Sequence, residues 1–153
     1  MASLDARVIS QPVDLAIARG VPDVVIDSGL ESAGPVSYIS TDNDRGGAVA
    51  ARRLGELLGG VGRVVLVRYA VGSQSTEGRE RGFTETIARE FPKVILLSDA
   101  EHAGATAEDA RRSVAGLLAR FGGQIDGIFC TNESSTAGAM AALEASWPPA
   151  KGR

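Results

Sequence analysis

This chain of 153 residues holds one cysteine and one histidine. With Cys130 alone, no intramolecular disulfide can form. The residue is expected as a small buried apolar side chain, because free cysteine is among the most buried residue types. With His102 alone, neither a clustered His/Cys zinc site nor a Ser-His-Asp triad with a spare histidine is easily assembled. His102 lies in the polar stretch from Asp99 to Thr106 and reads as a solvated loop residue. No apolar run approaches the roughly 18 residues that a membrane span needs. Lys/Arg-rich blocks are also missing: the net charge is −3, with acids and bases mixed along the chain. The electrostatic footprint of a nucleic-acid binder is therefore absent, and no nucleic acid is expected as a partner. The start, Met1-Ala2-Ser3-Leu4-Asp5, lacks the basic and apolar regions of a signal peptide. Taken alone, that would leave the chain in the cytoplasm.

What is present is ordinary for a globular domain: 44% apolar and 23% charged residues, in a length sufficient for one real core. Short apolar runs alternate with amphipathic stretches. Val24-Val25-Ile26, Val64-Val65-Leu66-Val67, Val94-Ile95-Leu96-Leu97 and Ile125 to Phe129 are each bounded by glycine, proline or aspartate. Continuous runs of this kind suit strands buried on both faces of a parallel sheet. Between them, Ala48, Ala51, Leu54 and Leu58 share a helical face, as do Ala107, Ala110, Val114, Leu117 and Phe121. Phe83 and Ile87 form a shorter pair that ends at Phe91-Pro92. Thr106-x-x-Asp109 resembles a capping box, and the glycines at 59–60 and 122–123 mark helix stops. The expected order is a helix over about 5–19, a strand, a connecting strand near Tyr38–Thr41, and then helix and strand in alternation to a final helix. Repeated β-α units mean an α/β domain with a doubly wound parallel sheet.

Ligands of open α/β sheets collect beyond the carboxyl ends of the strands. That rule selects Asp27-Ser28 after the first strand, the loop Tyr69–Thr76 leading to Arg79, and Thr131-Asn132-Glu133-Ser134 after the last. Asp27 offers acceptors to two adjacent hydroxyls, Arg79 a donor fork, and Asn132 both, which matches a polyol. Plainer readings stand beside these. Asp27 before Ser-Gly also suits a turn, Arg79 a solvated helix face, and Asn132 a helix cap. Gly59-Gly60-Val61-Gly62 precedes a strand where a dinucleotide-binding loop would follow one. Gly72-Ser73-Gln74-Ser75-Thr76 opens a helix and reads as a turn and cap, without the Gly-Lys-Ser/Thr of a P-loop. No Gly-x-Ser-x-Gly elbow occurs. Nothing assembles a reaction, so no enzyme, cofactor or metal site is expected.

The ordered set Val24–Gly29 (VVIDSG), Ile39–Gly47 (ISTDNDRGG), Arg79-x-x-Gly82-Phe83 and Asp126–Ser134 (DGIFCTNES) resembles the ribose-type sugar-binding proteins of bacterial ABC transporters. The helix at Leu4–Gly20 is similar to the one that precedes the Val-Ile-Asp strand in them, and the likeness runs from about Leu4 to Leu143. The resemblance implies two α/β lobes closing on a sugar or sugar alcohol, and a membrane permease as partner. It implies sugar contacts at Asp27, Arg79 and Asn132, with Ser28 where some members have an arginine and Glu133 completing the Asn-Glu pair. Near residue 103, where the family stacks an aromatic ring on the sugar, Ala103 stands here, leaving His102 or Tyr69 as substitutes. The likeness also implies that the chain is truncated at both ends. Residues 1–37 would be a remnant of the first lobe, with Ser32–Ser37 as the linker, and 38–145 most of the second. The span 146–153 would be a disordered tail. The full-length form would be periplasmic or otherwise extracytoplasmic. The alternative within the same fold is the effector-sensing domain of a lactose-repressor-type regulator.

Overall fold

A computed structural model describes residues 4–146. The order is α1 (Ala6–Ala18), β1 (Val24–Ile26), β2 (Ser37–Ile39), α2 (Asn43–Leu57), β3 (Val61–Val67), α3 (Gln74–Glu90), β4 (Lys93–Ser98), α4 (Ala107–Phe121), a short 3-10 turn, β5 (Gly127–Cys130) and α5 (Glu133–Ser146). The Trp147-Pro148-Pro149 segment of the expected tail lies outside the described residues. Two boundaries shift because capping residues claim them. Asp5 stands just outside α1, its carboxylate accepting from the backbone N–H of Arg7 at 2.9 Å. Asp42 caps α2 by accepting from the N–H of Arg45 at 3.0 Å, so the connecting strand ends at Ile39 and residues 40–41 turn into the helix.

The main sheet is parallel with the order β4-β3-β5. Val64 lies opposite Leu96 on one side and Gly127 on the other. Side chains of β3 alternate between two cores, as the two-residue period of a strand requires. Val64 joins Ala51, Phe83, Ile87 and Val94 beneath α2 and α3. Val65 and Val67 join Ala110, Val114, Leu117, Ala139 and Ala142 beneath α4 and α5. The result is the expected α/β layering with helices on both faces of a parallel sheet. Phe83 is fully buried and stacks on Phe129, with centroids 4.2 Å apart and planes 13° from parallel.

Burial on both faces holds for β3 but not for every strand read that way. β4 is an edge strand, and Ile95 is 58% exposed. β1 pairs only with β2, in a separate two-stranded parallel sheet. There Val25 is buried while Val24 and Ile26 remain about half-exposed.

Helices α2 and α3 meet backbone to backbone. A Cβ on Gly47 would lie 2.0 Å from the carbonyl oxygen of Arg79, and one on Gly82 would lie 1.9 Å from that of Asp44. Only glycine allows this approach. Gly82 is thus the spacer in the Arg-x-x-Gly-Phe motif, Phe83 its anchor in the core, and Arg79 its half-buried polar arm. The first helix and strand are tied to the main body through the N–H of Ala6, which donates to Gly72 O at 3.0 Å. The N–H of Ser75 also approaches the Ser28 hydroxyl at 3.5 Å.

Candidate functional site

From β3 the chain crosses to β4 on one side and then returns over the sheet to β5 on the other. The helices that follow β3 and β5 therefore leave on opposite faces, and a crevice opens between their starts. A cavity of about 200 Å³ sits there, lined by Tyr69, Ser73 and Arg79 from the β3 side, Asn132 from the β5 side and Asp27 from the end of β1. The three side chains selected by the strand-end rule are brought together.

Asp27 is the one non-glycine among the described residues with positive φ, at 64°. Its N–H still donates to Ile39 O at 2.9 Å, and its carbonyl accepts from the hydroxyl of Ser40 at 2.5 Å. The left-handed turn detaches the side chain from the strand direction. Among the described residues its carboxylate has no hydrogen-bond or ion-pair partner, so its acceptors are unspent.

Arg79 is half-buried, not a solvated charge. Its Nε donates to Asn43 Oδ1 at 2.9 Å and its Nη1 to the carbonyl of Thr131 at 2.9 Å. Five N–H donors less these two leaves three, and no carboxylate pairs with the guanidinium among the described residues. Asn132 does what the plainer reading expected and lines the cavity as well. Its Oδ1 accepts from the N–H of Ser135 at 3.2 Å, holding the first turn of α5, while Nδ2 donates to Ser134 Oγ at 3.2 Å. One amide N–H of Asn132 stays available.

Two expected residues are placed elsewhere. Ser28 is buried, facing the N–H of Ser75, and is not in the cavity lining. Glu133 is exposed in the first turn of α5, where a negative charge favours the helix N-terminus. Of the candidate rings, Tyr69 lines the cavity and donates its hydroxyl to Ala105 O at 3.4 Å. His102 is exposed and outside the lining, and Ala103 is buried in the core under α4 and α5. Ser73 makes no side-chain cap, so the expected turn and cap is built differently: Glu77 accepts from the N–H of Gly72 at 2.9 Å.

Behind the cavity, Glu80 is buried with Arg68 Nε 3.6 Å away. Burial pushes its carboxyl above the usual range, opposed by the Arg68 charge and the backbone N–H of Tyr69. The group supports the loop that carries Tyr69. A wider cleft of about 670 Å³, lined by residues including Asp42, Asp44, Glu77 and Arg81, opens beside β2 and the starts of α2 and α3. There Arg81 and Asp44 neutralise each other in a fork of two bonds at 2.7 Å. Among the described residues no group of three His, Cys, Asp or Glu could hold a metal ion. Nor is any described helix long and apolar enough to cross a membrane.

Residues 1–149 match the family described as periplasmic binding protein domain. The chain belongs to this family. Members similar to it include the ribose import binding protein of Bacillus subtilis, 28% identical over 144 residues, or 93% of this chain and 45% of that protein. The xylitol-binding protein of Mycolicibacterium smegmatis is 24% identical over 141 residues, 92% of this chain and 40% of that one. Among solved structures, the periplasmic component of an ABC-type sugar transport system from Hahella chejuensis superposes with a TM-score of 0.86 at 32% identity. That match covers 95% of this chain and 53% of the other. The chain thus spans about half the length of the periplasmic binding proteins it matches. The Bacillus protein is named for ribose import, the Hahella protein for sugar transport and the Mycolicibacterium protein for binding xylitol.

Proposed function

We propose that this chain carries a sugar-binding half-site of an ABC-type solute-binding protein. The observation that carries the reading is the convergence of Asp27, Arg79 and Asn132 on one cavity at the strand ends. Together they present a free carboxylate, three guanidinium N–H groups and an amide N–H, which suits adjacent hydroxyls that both donate and accept. Tyr69 lines the same space. The ligand class is a pentose, hexose or sugar alcohol, in line with the ribose and xylitol named for the relatives. The same likeness supports a permease as partner and an extracytoplasmic setting for the full-length protein.

We assign residues 1–37 to a first-lobe unit and 38–145 to the second lobe, with Tyr38–Thr41 making the crossing between them. Ser28 and Glu133 act indirectly in this reading, the first through the N–H of the lining residue Ser75 and the second through the first turn of α5, next to Asn132. The cavity is smaller than the roughly 300–1,000 Å³ of sites that enclose a small-molecule ligand. A sugar held by so few groups forgoes several hydrogen bonds, so affinity is expected in the millimolar range, about −4 kcal/mol. A thermal melt with pentoses, hexoses and polyols at millimolar concentration tests the proposal. One sugar should raise the midpoint, and Arg79→Ala should abolish the rise. A midpoint indifferent to every sugar rejects it.

A further inference from the structure

Asn43 belongs to none of the three strand ends, yet it touches the machinery of each. It is buried at the first position of α2. Its Oδ1 accepts from Arg79 Nε at 2.9 Å, and its Nδ2 donates to Ser40 Oγ at 3.1 Å and to Thr41 O at 3.0 Å. The amide orientation is fixed by chemistry, because arginine only donates and a carbonyl only accepts. Ser40 in turn donates to the carbonyl of Asp27 at 2.5 Å, and Arg79 Nη1 donates to the carbonyl of Thr131, the residue before Asn132. One side-chain amide therefore links the β1 end, the crossing segment, α3 and the β5 end in a single chain of hydrogen bonds.

We infer that Asn43 is the positioning residue of the sugar site, setting the guanidinium of Arg79 relative to Asp27 and Asn132. This rests on the reading of Arg79 as a sugar contact. An arginine side chain has many rotamers, and ordering it on ligand arrival would weaken binding. Here the Nε edge is held by Asn43 and one Nη by Thr131, so the remaining N–H groups keep one orientation before any ligand arrives. The holder is a neutral amide. It fixes the guanidinium without neutralising it, whereas the neighbouring Arg81 is spent on Asp44. The position of Asn43 also matters for coupling: it sits where the chain passes from the β1–β2 sheet into the main body. A shift of that crossing would reach Arg79 directly.

The test follows the Arg79 Nε–Hε signal by NMR alongside sugar titration, in the wild-type chain and in Asn43→Ala and Asn43→Asp. In the wild type the Nε–H should be protected from solvent exchange. Asn43→Ala should lose that protection and weaken sugar binding about tenfold, the size of one hydrogen bond to a charged group. Asn43→Asp keeps the acceptor and should restore the protection. An Asn43→Ala chain that melts lower but keeps a protected Nε–H and unchanged affinity would show a merely structural role and overturn the inference. If Asn43→Ala does not fold, Asn43→Asp decides alone, since loss of its Nε–H protection contradicts the geometry. If the wild-type chain binds no sugar, the proposed function fails while the Nε–H comparison still decides whether Asn43 holds Arg79.

Discussion

Gly46 and Gly47 are neighbours in the first turns of α2, and the structure predicts opposite signs for the same substitution. A Cβ on Gly46 would meet no atom within 4 Å, and neither glycine has positive φ. Gly46→Ala should therefore gain only helix propensity, about 0.5–1 kcal/mol. A Cβ on Gly47 would lie 2.0 Å from Arg79 O and 2.8 Å from the N of Phe83. Ordinary contact begins at 3.4 Å, so α2 and α3 would have to part by about 1.4 Å along that line. The opposing atoms are main chain and cannot swing aside. Overpacking of this kind costs about 1–3 kcal/mol and occasionally more. With rigid backbone on the far side the upper end applies, leaving a net loss of about 2 kcal/mol after the propensity gain. The two variants should differ by about 3 kcal/mol, or roughly 6–12 °C in melting midpoint for a chain of this size. Urea denaturation at unchanged slope measures the difference. Gly47→Ala as stable as Gly46→Ala would refute the close helix contact, and with it the placement of Arg79 by that contact.

Other outcomes follow from the same coordinates. The thiol of Cys130 is pushed up to about 11 by burial. At neutral pH the native chain should therefore react slowly with a disulfide reagent and rapidly once unfolded in guanidinium; fast labelling of the folded chain would contradict its burial. Glu90 is held down at about 2, first by hydrogen bonds from Arg52 and then from Arg89. Because its folded pKa is depressed, its stabilising effect is present above the ordinary carboxylate range and is lost as pH falls toward about 2. Arg52→Ala should raise the Glu90 midpoint in a carboxyl NMR titration, and an unmoved midpoint would exclude the pair. Phe83→Ala, which removes a buried ring stacked on Phe129, should cost about 3–5 kcal/mol in denaturant melts.

Much of the fold was legible because it depends on local pattern. The Val64–Val67 run reads as a strand buried on both faces, and the helical faces at 48–58 and 107–121 read as amphipathic helices between strands. What pattern could not supply is where each strand sits in its sheet. Ile95 looks like a buried strand residue until β4 is known to be an edge, and Val24 and Ile26 until β1 is known to have a single strand partner. The site shows the same division. That Asp27, Arg79 and Asn132 converge on one cavity could be anticipated, because the strand ends of an open α/β sheet face a common crevice whatever the sequence between them. Asn43 could not, since an asparagine in the first turn of a helix looks like a cap, and its partner is 36 residues away. The roles of Gly47 and Gly82 were hidden for a related reason: a helical glycine is explained only by the backbone that approaches it. The turn at Gly72–Thr76 was legible but its fastening was not: Ser73 makes no side-chain cap, and the carboxylate of Glu77 reaches back to the N–H of Gly72.

The most direct test of the central claim is a two-dimensional amide NMR titration of the chain with ribose, xylitol and arabinose. Saturable shifts concentrated at Asp27, Tyr69, Thr131 and Asn132, together with the Arg79 Nε–H, are the predicted result. Shifts confined instead to the wider cleft around Asp42, Asp44 and Glu77, or no saturable shift with any sugar, would contradict it.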